Sequence, residues 1–291
     1  MSKQIIGMDI GGTTFSSTLF DAGLNVLKSS DKRLISGIDS SADLINELSS
    51  QINRLCGGQV DGVGVSCPGP LDSERGVVLE TPNLKLLQNI NLKKELEARC
   101  STEVHIENDA NLFTLGEWHQ QKKTSSVFSG ITLGTGLGFG LVINNKLFKG
   151  AHGLATEYAI SPLEHGNWET YISISGIKKL SQDILNKKLD PKTLYEMASL
   201  NDSGALQVWN DFGAHLGMAL SHFVNMVDPE IISIGGGVSR AFGFFEASMR
   251  ATLEKFSPSY RKNNIYIFES RHKELSSQIG AALLLITKQK S

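Results

Sequence analysis

The chain has 291 residues, 40% hydrophobic and 20% charged, with a formal net charge of −2. That length suits one large or two medium domains with a substantial core, and the composition is that of an ordinary globular chain, not a disordered one. The charge gives no electrostatic case for nucleic acid or an anionic membrane, and no apolar run approaches the ~20 residues of a transmembrane helix.

Three scattered cysteines, Cys56, Cys67 and Cys100, argue against a disulfide framework and point to a reducing compartment. The N-terminus enters a strand almost at once and does not read as a signal peptide. The expectation is a cytoplasmic protein that spans no membrane.

Residues 4–30 predict three strands in a meander, with Asp21-Ala22-Gly23 at the second turn. The first turn is Asp9-Ile10-Gly11-Gly12-Thr13-Thr14. Two glycines and two hydroxyls after a strand can cradle phosphate oxygens on exposed N–H and O–H groups. Asp9 could hold Mg²⁺, directly or through water. A hairpin whose turn simply needs glycine fits the same residues. Leu44, Ile45, Leu48, Ile52 and Leu55 share one face of a helix over 40–55, with Ser40 or Ser41 as N-cap and Gly57-Gly58 as its stop. Val60 to Ser66 is a strand, broken by Cys67-Pro68-Gly69-Pro70; Thr81-Pro82-Asn83-Leu84 is a second rigid break.

A short helix, Leu92 to Arg99, and a strand, Glu103 to Ile106, lead to Glu107-Asn108-Asp109-Ala110-Asn111. Asn and Asp cap helices well, and a helix to about Gln121 follows. Four polar groups in five positions exceed what a cap requires, and a carboxylate at the C-terminal end of a strand is where α/β sheets bind ligands. The second half then starts as the first did. Val127 to Leu133 is a strand, Gly134-Thr135-Gly136-Leu137-Gly138-Phe139-Gly140 a glycine-threonine turn, and Leu141 to Lys146 a strand and turn. This internal repeat suggests two similar domains, each with a phosphate-binding hairpin. The glycine string fits neither the dinucleotide fingerprint nor the P-loop.

Residues 150–169 hold His152, Glu157, Glu164, His165 and Glu169, without the spacing of a metal site. Two helical stretches follow. The strongest helix is 204–227, where Trp209, Phe212, Leu216, Leu220, Phe223 and Val227 form an apolar stripe flanked by His215 and His222. Glu230 to Ile234 reads as a strand, and Gly235-Gly236-Gly237 opens a helix near Val238-Ser239, a seat for a nucleotide at a helix N-terminus. A last strand, 264–268, precedes a helix from Leu275 to about Lys288, with Gly280-Ala281-Ala282 as a small-residue face.

Taken together and in this order, the Asp9–Thr14, Cys67–Pro70, Thr81–Leu84, Glu107–Asn111, Gly134–Gly138, Trp168-Glu169 and Asp228–Gly237 stretches resemble the ROK family (repressors, open reading frames and kinases), sugar kinases of the actin, hexokinase and Hsp70 ATPase superfamily. The resemblance implies an α/β, two-domain actin-like ATPase (ribonuclease H-like) fold with a cleft between domains. The small domain would be 1–115 plus about 275–291, and the large domain 116–274. It implies Mg²⁺ and ATP as cofactors, a sugar as substrate and a homodimer, while the net charge of −2 leads to the expectation of no nucleic-acid partner. Asp109 matches the general base. Asn108, Gly69, Asn83, Glu157 and Glu169 match sugar-binding positions. Asp9, Gly11, Gly12, Thr13 and Thr14, with Gly134, Thr135 and Gly136, would hold phosphates and Mg²⁺, and Gly236 and Gly237 the adenosine.

One stretch departs from the family. Where relatives show G-E-x-G-H and then C-x-C-G-x-x-G-C-x-E, this chain reads Thr156-Glu157-Tyr158-Ala159-Ile160 and His165-Gly166-Asn167-Trp168-Glu169. The histidine and three cysteines of the structural zinc site are absent together, so no zinc is expected. Ile160 could face an apolar substituent such as an N-acetyl methyl, or pack where the zinc loop was. The expected activity is ATP-dependent phosphorylation of a hexose, glucose by default, with N-acetylmannosamine, N-acetylglucosamine, fructose and allose as alternatives. A sugar-responsive repressor and a sugar-binding relative without catalysis are the readings from other classes. The first would call for the N-terminal helix-turn-helix that repressor relatives carry, and the strand expected by residue 4 counts against it.

Overall fold

The computed structural model describes residues 3–57, 60–81, 84–122, 124–272 and 274–287. The chain divides into two units, one of Met1–Lys123, Leu147–Ala155 and His272–Ser291, the other of Thr124–Lys146 and Thr156–Arg271.

The first unit opens with β1 (Gln4–Ile10), β2 (Thr14–Asp21), β3 (Val26–Ser29) and β4 (Arg33–Leu34). Helix α1 (Ser41–Cys56) and strand β5 (Gly62–Cys67) follow, then three two-residue strands, β6 (Leu71–Asp72), β7 (Val77–Val78) and β8 (Ile90–Asn91). Helix α2 (Leu92–Cys100), strand β9 (Val104–Asn108) and helix α3 (Asp109–Gln120) complete this stretch. The main sheet runs β3-β2-β1-β5-β9, with β4 paired to β2. Strands β1 and β2 form an antiparallel hairpin, while β5 and β9 lie parallel to β1.

Alternation along the strands explains how both faces of this sheet are covered. Ile6, Met8 and Ile10 of β1 and Val63 and Val65 of β5 point to one face and share a core with Leu44, Leu48 and Ile52 of α1. Ser40 caps α1 by accepting from the Asp43 amide, and Gly57, at φ +53°, ends it. The other face is bare backbone at Gly7 and Gly64. A Cβ there would come 2.0 Å from the Gln278 carbonyl oxygen and 1.9 Å from that of Ala281. The C-terminal helix, Glu274–Thr287, therefore lies directly on the strands. It meets α3 in the same way, with Gly116 against Ser276 and Gly280 against Leu112. The Gln278 side chain pins this helix to β2 by donating to Ser16 Oγ (2.9 Å) and accepting from Thr18 Oγ1 (2.6 Å).

The second unit begins with β10 (Val127–Leu133) and β11 (Leu137–Ile143), followed by β12 (Lys146–Leu147), which straddles the boundary. A small hairpin, β13 (Pro162–Leu163) and β14 (Gly166–Asn167), precedes α4 (Trp168–Tyr171), α5 (Ile174–Leu185), α6 (Pro191–Ser199) and α7 (Ser203–Val227). Strand β15 (Ile231–Gly235), helices α8 (Phe242–Phe256) and α9 (Pro258–Lys262) and strand β16 (Tyr266–Glu269) finish the unit. The sheet order is β12-β11-β10-β15-β16, again an antiparallel hairpin followed by two parallel strands. Trp209, Phe212, Leu216, Leu220 and Phe223 of α7 are buried in the core of this unit. Gly213 and Gly217 bring α7 against the backbone of α8 at Phe245 and Met249. His215 and His222 pack edge-on against Tyr171 and Trp168.

Several boundaries differ from the sequence expectation: the strand expected from Val60 starts at Gly62, the one expected over Glu103–Ile106 runs from Val104 to Asn108, and β11 begins at Leu137, inside the expected glycine turn. The strand predicted from Glu230 starts at Ile231; the Glu230 amide still donates to the Val127 carbonyl (2.9 Å), and its side chain accepts from the Ser126 amide (2.7 Å) and the Val127 amide (3.2 Å). The helix expected near Val238-Ser239 begins as a tighter 3₁₀ turn, Gly237–Ala241, and becomes α-helical only at Phe242.

Candidate functional site

In the first unit the chemistry gathers at the carboxyl ends of three neighbouring strands. Register places Asp9 of β1 opposite Ser66 of β5, and Ser66 and Cys67 opposite Glu107 and Asn108 of β9. Ser66 Oγ donates to Asp9 Oδ1 at 2.7 Å and fixes that carboxylate. Cys67 lies between, fully buried; burial first, then the charges of Asp109 and Asp9, hold its thiol far above the usual range. Both acids therefore act on one point of the sheet edge.

The capping expected of residues 107–111 is present. Asn108 caps α3, its Oδ1 accepting from the Ala110 amide (2.9 Å) and the Asn111 amide (3.2 Å). Its Nδ2 faces Gly69, where a Cβ would approach within 2.9 Å, so Gly69 leaves room for Asn108. Asp109 is the first residue of α3, half-buried, with Oδ1 accepting from the Ala110 amide at 2.9 Å. Asn83 lies outside the described residues.

The β1–β2 turn closes through the Gly11 amide, which donates to the Thr14 carbonyl (2.8 Å), and Thr13 is held by the Ile35 amide on its carbonyl (2.8 Å). Gly12 and Thr13 are exposed and Thr14 half-buried. An added Cβ at Gly11 would meet only Thr14 O at 3.4 Å, an ordinary contact, and at Gly134 or Gly237 it would meet nothing within 4 Å. The protein's own packing does not require glycine at these three positions. The room they leave suits a ligand that approaches the backbone, as a nucleotide's phosphates and adenosine do.

Gly136 and Gly236 have a different cause. A Cβ at Gly136 would lie 2.5 Å from Glu169 Oε2, and Gly236, at φ +85°, sits 2.2 Å by the same measure from the Leu133 carbonyl oxygen. Glu169 accepts from the Leu137 amide at 3.0 Å and so braces the Gly134–Leu137 turn. Glu157 keeps much of its surface open, yet the groups crowding it and, second, the Glu169 carboxylate push its carboxyl above the ordinary range. The structure thus brings Glu157 and Glu169 near each other within the second unit.

A cavity of about 710 Å³ opens beside Thr135, lined also by Ile174, Ser175, Lys178, Lys179, Gln182 and Lys188. Three lysines, an exposed threonine and the first turn of α5 make this wall suited to an anion. Sequence reading missed the lysines, since a Lys pair on an amphipathic helix carries no signal of the cavity it borders. Ile160 is 59% exposed on the turn Glu157–Ile160. Among the described residues no group of three or more His, Cys, Asp and Glu side chains is placed to hold a metal ion. Asp9 alone still suits Mg²⁺, which keeps several waters and takes its remaining ligands from phosphates. No helix among the described residues is long and apolar enough to cross a membrane.

The ROK family profile matches residues 5–288. The chain is 30% identical over 264 residues to the glucokinase of Thermotoga maritima, covering 82% of this chain and 83% of that one. It is 30% identical over 276 residues to the N-acetyl-D-glucosamine kinase of Histophilus somni, covering 84% and 87%. It is also 25% identical over 298 residues to the xylose repressor of Bacillus subtilis, covering 97% of this chain and 76% of the repressor. Among solved structures, the ROK family glucokinase of Streptomyces griseus in complex with glucose and AMPPNP superposes with a TM-score of 0.81 at 25% identity, over 97% and 98% of the two chains. This chain, with its paired α/β sheets of the actin-like ATPase fold, belongs to the ROK family and is a relative of its sugar kinases.

Proposed function

We propose that this chain transfers the γ-phosphoryl group of ATP to a hydroxyl of a hexose, with glucose the first candidate and N-acetylhexosamines the next. The observation that carries the reading is the Asp109 carboxylate at the start of α3, on the same sheet edge as Asp9. Asp109 accepts the proton of the attacking hydroxyl, and Asn108 orients the sugar beside it. Gly69 leaves space on that side, and Asn83, Glu157 and Glu169 are proposed to bind ring hydroxyls. Mg²⁺-ATP supplies the phosphoryl group and the charge that offsets its transfer. Asp9, held by Ser66, would bind the Mg²⁺ through water. Gly11, Gly12, Thr13 and Thr14 would hold phosphate oxygens, as would Gly134, Thr135 and Gly136 in the second unit, with Gly236 and Gly237 toward the adenosine. Lys178, Lys179 and Lys188 would add positive charge to the second set. A cytoplasmic homodimer completes the reading.

The second reading is a sugar-binding regulator without turnover. Exposed Ile160, where sugar-kinase relatives carry a histidine, and the match to a repressor favour it. Coupled ADP release with Mg²⁺-ATP, run over hexoses and N-acetylhexosamines with Asp109→Asn as blank, separates the two. Sugar-dependent release that disappears in the variant supports the kinase. No release with any sugar, together with measurable sugar binding, supports the regulator.

A further inference from the structure

Glu107 is a buried acid that the reaction itself does not use. It is 2% exposed, at the end of β9. Its Oε1 accepts from the Asn108 amide (2.9 Å) and from Asn111 Nδ2 (3.2 Å), so one oxygen grips both sides of the Asn108–Asp109 turn. Its Oε2 lies 3.1 Å from Lys149 Nζ. Lys149 also donates to Ser73 Oγ at 3.2 Å, and its side chain stays 38% exposed. The segment that carries Lys149, Leu147–Ala155, is bracketed in sequence by the second unit but belongs to the first. The Ala155 amide closes it by donating to the Lys149 carbonyl at 3.1 Å.

We propose that Lys149 is a positioning residue: by neutralising the buried Glu107 carboxylate it fixes the Asn108–Asp109 turn on which the acceptor chemistry rests. The role in turnover depends on the kinase reading; the hold on the turn does not. A buried carboxylate deprived of its cation turns toward solvent or draws in water, and either change disturbs the two hydrogen bonds that Oε1 accepts. Asn108 then loses its place as N-cap, and Asp109, the next residue, moves with it. Glutamine at position 107 keeps an oxygen for both bonds and carries no charge, so it makes the lysine dispensable. Lys149, being partly exposed, is solvated when its partner is removed.

The test uses the full chain with Lys149→Met, Glu107→Gln and the double variant Lys149→Met/Glu107→Gln. Two readouts are taken. The first is amide hydrogen exchange at Asn108, Ala110 and Asn111, which needs no activity. The second is the kinetics of sugar-dependent ADP release. Lys149→Met is expected to speed exchange at those three amides about tenfold or more, with β1 and β5 unchanged. It is expected to lower kcat and raise the sugar KM while the ATP KM stays within about twofold, a split that partial unfolding would not produce. The double variant returns both readouts close to wild type, and Glu107→Gln alone stays there. Exchange within about twofold of wild type in Lys149→Met overturns the proposal, as does a double variant no better than the single one. Unchanged kinetics beside altered exchange removes the role in the reaction. Wild-type protein that turns over no sugar sinks the kinase reading, while altered and rescued exchange would still uphold the hold on the turn.

Discussion

In the first unit the carboxyl ends of β1, β5 and β9 carry Asp9, Ser66-Cys67 and Asn108, with Asp109 next. In the second, the matching ends of β10, β15 and β16 carry Thr132-Leu133, Gly235 and Glu269. Thr132 stands opposite Gly235 as Asp9 stands opposite Ser66. The topology is the same, so the difference lies in edge chemistry. One edge concentrates acids suited to a proton, a sugar hydroxyl and a divalent cation. The other has one acid at its strand ends, Glu269 of β16, and has lysines beside its hairpin, which suit phosphates. A repeated scaffold can thus carry different chemistry at equivalent edges, since a shared fold does not fix the chemistry of its sites.

The sharpest break of this comparison is Asp109→Asn. It is expected to lower kcat by about 10²–10⁴-fold with sugar affinity retained, read by ADP release and calorimetric titration. Unchanged turnover would remove the first edge from acid–base chemistry.

Glycines sharpen it next. Gly64→Ala would force a Cβ to 1.9 Å from the Ala281 carbonyl oxygen and is expected to cost about 1–3 kcal/mol in denaturant unfolding. Gly134→Ala meets no atom within 4 Å and should stay within about 0.5 kcal/mol of wild type, while raising the ATP KM. The pair separates glycine kept for packing from glycine kept for a ligand. Replacing Lys178, Lys179 and Lys188 together by alanine should raise the ATP KM about tenfold, near 1.4 kcal/mol, and leave the sugar KM alone. An equal rise in both would deny the second edge its separate role.

The smallest effect concerns Glu157. Its carboxyl is raised by crowding and by Glu169, so the folded chain binds its proton more tightly than the unfolded chain. Stability should therefore fall as pH rises from the ordinary carboxylate range through the raised value. Glu157→Gln should be indistinguishable from wild type below that window and slightly more stable above it, with solvent exposure keeping the gain small. Thermal unfolding across the window checks the sign.

Much of this was legible in the residues. The apolar stripes of α1 and α7, the small-residue face of the C-terminal helix and the two glycine-threonine hairpins each declare themselves locally, through a period of 2 or 3.6 or through turn chemistry. The family motifs placed Asp109, Asn108 and Asp9 on strand or helix ends, where the structure has them. Ile160 was legible only as a departure, and its exposure had to be seen. Lys149 and Glu107, 42 positions apart, carry no common signal in the chain, and neither do Lys178 and Thr135 around their cavity.

By itself the sequence determined the elements, their order and the residue types at the turns, because hydrophobic period and turn preference act over a few residues. Tertiary structure alone decided which glycines serve packing and which leave room, which acid is neutralised by which lysine, and that Asp9 and Asp109 press on the same buried thiol. Those are distances between strands far apart in the chain, and they exist only once sheet register has been set.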